Sequence, residues 1–220
     1  MAMLNSSYNK RAYCGWLKKH QPNDFGSDLK LQKFLFFYES LTESQDGDGQ
    51  FSSLKGYEKG PVFSDVYGDY IYEYWDFNKS VEECYESRPD IVNNDHAKLA
   101  GFLVKIMNEE DLSLLTHEFN IWKSKEYRIK RQEQQVRLSK NDFNEDDKKL
   151  MITLKEMYPI DYIDSVEVVN IAGKNFIISK DDLNGLTENQ KDTLMTIAEQ
   201  KELLNPVYIS ISEDGVILVD

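Results

Sequence analysis

Hydrophobic positions recur along this chain at two periods, helical over the first 157 residues and strand-like beyond residue 160. The densest apolar run is Asp-Leu-Lys-Leu-Gln-Lys-Phe-Leu-Phe-Phe-Tyr-Glu-Ser-Leu at 28–41. Leu31, Phe34, Leu35, Tyr38 and Leu41 share a helical face there, and Phe36 and Phe37 widen it until only Lys30, Gln32, Lys33 and Glu39 are plainly polar. A helix apolar over so much of its circumference belongs at the centre of a core. Ser27 stands at its N-cap and Asp28 puts a carboxylate in its first turn, where the helix dipole favours negative charge. Ahead of it, Ala12, Tyr13, Trp16 and Leu17 predict a helix over 9–19 that Gln21-Pro22-Asn23 ends. After the turn residues 45–49, residues 51–57 read as a short extended piece punctuated by Gly56 and Gly60. Gly60-Pro61-Val62 then leads into a third helix, along which Phe63, Val66, Tyr67, Tyr70, Ile71, Tyr74 and Trp75 recur. Residues 81–93 read as a polar loop. Further helices are capped by Asn94 (apolar face Leu99, Phe102, Leu103, Ile106), by Asn108 (Leu112, Leu115) and by Asn144 (Leu150, Met151, Leu154, Met157), and Tyr158-Pro159 stops the last.

Beyond that proline, β-branched stretches at 162–171 and 175–178 flank Ala172-Gly173-Lys174, a hairpin signal. Thr187-Glu188-Asn189-Gln190 spells a capping box and opens a helix with Leu194, Ile197, Ala198 and Leu203. Residues 207–212 and 216–219 flank Glu213-Asp214-Gly215, a second hairpin signal. The pattern predicts an α+β fold, mainly α: a compact helical module over residues 9–157 with a short extended or hairpin insertion, then a small β-hairpin, helix, β-hairpin unit over 160–220.

Charge narrows the partners. The formal net charge is −13, and a surface so negative is repelled by duplex DNA, because nonspecific affinity comes from phosphate neutralisation. Nucleic acid is therefore disfavoured as a partner unless a local basic patch supplies the contact. One stretch has the opposite sign: Lys123, Lys125, Arg128, Lys130, Arg131, Arg137 and Lys140 face only Glu126 and Glu133. It is the candidate basic partner-binding surface, and the plainer reading is a solvated connection. Two cysteines, Cys14 and Cys84, make neither a disulfide framework nor a set of metal thiolates. Residues 1–8 lack a basic region followed by an apolar core, and no segment is long enough to span a bilayer. A cytoplasmic protein without a membrane partner is the expectation.

Catalytic chemistry finds little to stand on. His20, His96 and His117 lie at no ligand spacing from one another or from a cysteine, and no Gly-x-Ser-x-Gly elbow is present. Neither Gly47-Asp48-Gly49 nor the glycines at 56 and 60 precede the Lys-Ser/Thr of a phosphate loop. Asp46-Gly47-Asp48-Gly49 lacks the remaining oxygen ligands of a calcium loop. The chain is read as a non-enzyme with no catalytic, metal or cofactor-binding residue. His117 is read as a turn anchor, Trp75 and Trp122 as core rather than interface residues.

Three stretches in fixed order carry a resemblance. Lys30-Leu31-Gln32-Lys33 opens the central helix; Gly60-Pro61-Val62 follows Tyr57 and precedes Val66, Tyr67 and Tyr70; Thr116-His117 precedes Trp122. Together they resemble the phage-associated SocA-like antitoxin family, whose shared module is called the Panacea domain; Lys59 stands where that family has an aromatic residue. The resemblance implies a bacterial or prophage-encoded antitoxin that neutralises a protein toxin encoded by a neighbouring gene through direct binding, a mechanism that needs complementarity and no catalytic group. It also leaves room for a protease adaptor or a phage factor that binds a host protein. A DNA-binding autoregulator, a further class, runs against the acidity. Residues 160–220, outside the resemblance, would add partner specificity or mediate association into a homo-oligomer.

Overall fold

A computed structural model describes residues 3–200 and 202–220. Residues 1 and 2, which open the N-terminal stretch read for a leader, and residue 201 lie outside the described residues. The chain forms two compact units, one made of residues up to Val104 together with Glu109–Met157, the other of Lys105–Asn108 with Tyr158–Asp220.

In the first unit, α1 (Tyr8–His20), α2 (Pro22–Phe25) and α3 (Asp28–Asp46) lead into the hairpin β1 (Leu54–Tyr57) and β2 (Gly60–Phe63). Then come α4 (Ser64–Tyr72), α5 (Tyr74–Ser87), α6 (Asn94–Ile106), α7 (Glu109–His117), α8 (Asn120–Lys123), α9 (Glu126–Lys130), β3 (Val136–Arg137) and α10 (Glu145–Met157). Helix α3 is the core of this unit: every residue from Leu31 to Leu41 is buried, the polar ones included. Ser27 caps it by accepting the Lys30 N–H, and Gly47, in the left-handed region at φ 70°, ends it. Helices α1 and α5 pack along each other, and α3 packs against α1, α10 and β2. The small sheet has the antiparallel order β2-β1-β3, with Leu54 opposite Phe63, Tyr57 opposite Gly60 and Lys55 opposite Arg137.

Residues 60–63 form a strand paired with β1 that leads straight into α4 at Ser64. Three expectations change here. The third helix is two helices, because the chain breaks at Glu73 (φ −122°, ψ 35°). The second of them runs on to Ser87, through residues read as loop, and buries only the narrow stripe Phe77, Val81 and Cys84. The cap of α6 is Asn93, whose side chain accepts the Asp95 and His96 N–H groups, one residue ahead of the expected Asn94.

In the second unit, α11 (Ile160–Ser165) occupies the start of the first predicted strand, followed by β4 (Val166–Ile171), β5 (Lys174–Ser179), α12 (Lys180–Gly185), α13 (Glu188–Ala198), β6 (Val207–Ile211) and β7 (Ile217–Val219). The sheet order is β4-β5-β6-β7, with antiparallel outer pairs and a parallel β5–β6 pair. A parallel pair needs a crossover, which α12 and α13 supply. Thr187 and Gln190 make both halves of the capping box of α13, which ends at Ala198, before Leu203. Phe176, Ile178, Leu194, Ala198, Val207 and Ile209 form the core of this unit. The fold is α+β and mainly α.

Candidate functional site

The tip of the β1–β2 hairpin, Tyr57 to Gly60, presents main-chain carbonyls to side chains from α3 and α8. Trp122 Nε1 donates to the Tyr57 carbonyl at 3.0 Å, the His117 ring lies beside Glu58, and Lys33 Nζ donates to the Lys59 carbonyl. Lys33 Nζ also donates to Thr116 Oγ1 at 2.9 Å, and that hydroxyl lies 3.0 Å from the Leu112 carbonyl of its own helix. Below them, the Phe63 N–H donates to Gln32 Oε1 at 2.7 Å. The three stretches that carry the resemblance thus meet at one place, around one turn.

Gly60 is fixed by this arrangement. Its φ is +105°, and a Cβ there would come within 2.2 Å of Lys33 Nζ and 2.5 Å of Thr116 Oγ1. Only glycine combines that backbone angle with so close an approach. Pro61, its φ restricted by the ring, sits on β2 opposite Gly56 and gives up no ladder bond that its own N–H would have made. Trp122 is held in turn by Asp147 of α10, whose carboxylate accepts the Asn120 and Ile121 N–H groups at the start of α8. Its indole stacks on the His117 ring, with centroids 3.8 Å apart and planes 17° from parallel. Trp122 is buried, as expected.

Beside the clamp opens a cleft of about 280 Å³ lined by Asp28, Leu29, Gln32, Lys33, Tyr57, Glu58, Lys59, Pro61, Val62 and Tyr67. Lys33 contributes its amine from a side chain that is almost wholly buried. Burial lowers its pKa to about 7, and no neighbouring carboxylate offsets that desolvation. The amine therefore binds oxygen acceptors from an apolar setting, where a full charge is costly. His117 is lowered as well, by burial first and by Lys33 second, and its Nε2 is buried without a hydrogen-bond partner. Lys30, by contrast, is half-buried and paired with Asp24 at 2.7 Å, and Leu31 is core.

A second buried charge sits further along α3. The Glu39 carboxylate accepts the Gln50 N–H at 2.8 Å, and burial raises its pKa to about 7. Glu43 accepts the Gly49 N–H at 3.0 Å and pairs with Lys140 at 2.6 Å. These contacts shape the 47–50 turn, the segment with a superficial likeness to a calcium loop. Among the described residues, no group of three or more His, Cys, Asp or Glu side chains could hold a metal ion.

The basic stretch is largely paired with acids inside and beside it. Lys123 pairs with Glu118, Lys125 with Asp142, Arg128 with Glu133 and Lys130 with Glu126, while Arg131 lies over the Tyr127 ring. Arg137 is on β3. Trp75, expected in the core, is 83% exposed.

Nothing in the residue types announces the acceptors of the clamp, since they are main-chain carbonyls. Lys33 did leave a signal: a lysine flanked by Leu31, Gln32, Phe34 and Leu35 on a helix apolar all round has nowhere to go but inward. No known protein family matches the chain, and neither a curated protein nor a solved structure matches it.

Proposed function

We propose that the chain is an antitoxin that neutralises a toxin encoded beside it by direct protein–protein binding, acting in the cytoplasm. The observation that carries this reading is the convergence of Lys33, Gly60, Thr116, His117 and Trp122 on one hairpin. Stretches resembling the same family, far apart in sequence, are parts of one structural device, which gives the resemblance a physical content that scattered short motifs lack. Two free, buried cysteines suit a reducing compartment, and no helix among the described residues is long and apolar enough to cross a membrane. The internal pairing of Lys123, Lys125, Arg128 and Lys130 weighs against nucleic acid as the partner.

The test is co-expression with the product of the adjacent open reading frame. Growth arrest by the neighbour alone, rescue by this chain and co-purification of the two is the expected result. A neighbour that is toxic but rescued without a complex would overturn direct neutralisation.

A further inference from the structure

Residues 71–75, Ile-Tyr-Glu-Tyr-Trp, are consecutive and all exposed. Tyr72 is 79% and Trp75 83% exposed, with Ile71 and Tyr74 beside them. The break at Glu73 causes this. It ends α4 and restarts the helix as α5, so the apolar stripe that begins at Val66 is carried out of the core. Trp75 is nevertheless tied to the interior through edge-to-face contacts: Trp75 to Tyr74 at 5.9 Å, Tyr74 to Tyr70 at 5.5 Å and Tyr70 to buried Phe25 at 6.0 Å. The Tyr70 hydroxyl donates to the Gly26 carbonyl at 3.0 Å. A large aromatic group already held in place loses little freedom on binding.

Along the chain the charge around it has one sign, and Lys18, which lies 5.8 Å over the Phe25 ring, is paired with Glu82 at 2.6 Å. Residues 64–78 contain no lysine or arginine, Glu73 stands between Tyr72 and Tyr74, and the next cation along the chain, Lys79, pairs with Glu83 at 3.6 Å. One turn back on α4 from Ile71, Tyr67 lines the cleft beside Lys33. Exposed aromatic faces bounded by carboxylates favour guanidinium and ammonium groups, which bind the ring faces and the acid together. A second copy of this chain is the poorer occupant. A two-fold contact would set Glu73 near Glu73, between chains that each carry a net charge of −13.

We propose that the Ile71–Trp75 face docks an arginine- or lysine-bearing surface of the toxin, with Tyr72 and Trp75 as its anchors; this rests on the antitoxin reading above. Because both side chains are exposed, Tyr72→Ser and Trp75→Ser leave the fold intact, which an unchanged melting temperature checks. The experiment measures binding of wild type, Trp75→Ser, the double variant and Glu73→Lys to the neighbouring gene's purified product, with growth rescue alongside. The expected result is a loss of at least ~10-fold in affinity for Trp75→Ser, a further loss for the double variant, and weakened binding by Glu73→Lys that wild type mimics at high salt. If wild type binds and rescues but Trp75→Ser does so equally well, the docking face is wrong and the antitoxin reading stands. If wild type neither binds nor rescues, both fall. Self-association in sedimentation velocity that Trp75→Ser abolishes would assign the face to a second copy, and cosedimentation with phosphatidylcholine/phosphatidylserine vesicles that it abolishes would assign it to a membrane; either overturns the proposal.

Discussion

At the residue scale the clamp makes two positions intolerant for opposite reasons. Gly60→Ala adds a Cβ where Lys33 Nζ and Thr116 Oγ1 already lie, at a positive φ. A destabilisation of about 1–3 kcal/mol is expected from the backbone angle alone, read as a lower denaturant midpoint. Trp122→Phe keeps most of the ring and removes one donor to the Tyr57 carbonyl, at a cost of about 0.5–1.5 kcal/mol. The buried charges of α3 make a pH signature. Lys33 falls from 10.5 to about 7 on folding, so between those values the unfolded chain holds a proton the folded one lacks, and stability rises with pH. Glu39 rises from 4.5 to about 7, so over that range the folded chain holds the extra proton, and stability falls as pH rises. The alkaline limb is on the order of 5 kcal/mol and the acidic one on the order of 3 kcal/mol, and together they place a stability minimum near neutrality. Denaturant midpoints from pH 5 to 10 should trace it, with Lys33→Met flattening the alkaline limb and Glu39→Gln the acidic one. Caps were the most legible residues of all: Ser27, Asn144 and the Thr187–Gln190 box act as their types predict. They need only local geometry, which sequence order supplies.

Elements were legible where burial follows a period. Helix α3 declared itself because its middle, Phe34 to Tyr38, is wholly apolar, and α13 because its cap and stripe agree. Helix α5 was hidden because Phe77, Val81 and Cys84 are its only buried residues and most of residues 76–87 are polar. The α4–α5 break was hidden for the converse reason: Tyr70, Ile71, Tyr74 and Trp75 continue a helical period without a glycine or proline to interrupt it. Beyond the inward-facing Lys33 the clamp could not be read, since its acceptors are carbonyls and its donors come from helices distant in sequence. That dependence on tertiary contacts has its own test. The hairpin amides of the Tyr57–Gly60 and Lys55–Val62 pairs should exchange together, faster in Trp122→Phe than in wild type, as a unit held from outside and not by its own turn.

At the scale of the whole molecule, each unit has its own core. Leu194→Ala removes a buried side chain from the six-residue cluster of the second unit. A loss of about 2–5 kcal/mol is expected for the unfolding of that unit, visible as a shift of the fluorescence or exchange signals arising from residues 158–220. The overall negative charge belongs to this scale as well. It is legible from composition, but its placement is not. The one cationic run pairs four of its charges with acids inside and beside it, while residues 64–78, which carry the aromatic face, hold no lysine or arginine.

Asp69 gives that face a remote readout. It lies on α4, buried, and its carboxylate accepts the main-chain N–H groups of Asn5 and Ser6 at 2.9 and 2.8 Å, together with the Ser6 hydroxyl. The helix that carries Ile71 and Tyr72 outward is thus tethered inward to the start of the chain. Anything that stiffens α4 from the solvent side will slow the escape of two amide protons near the N-terminus. Isotope labels at positions 5 and 6 would sense an event they never touch.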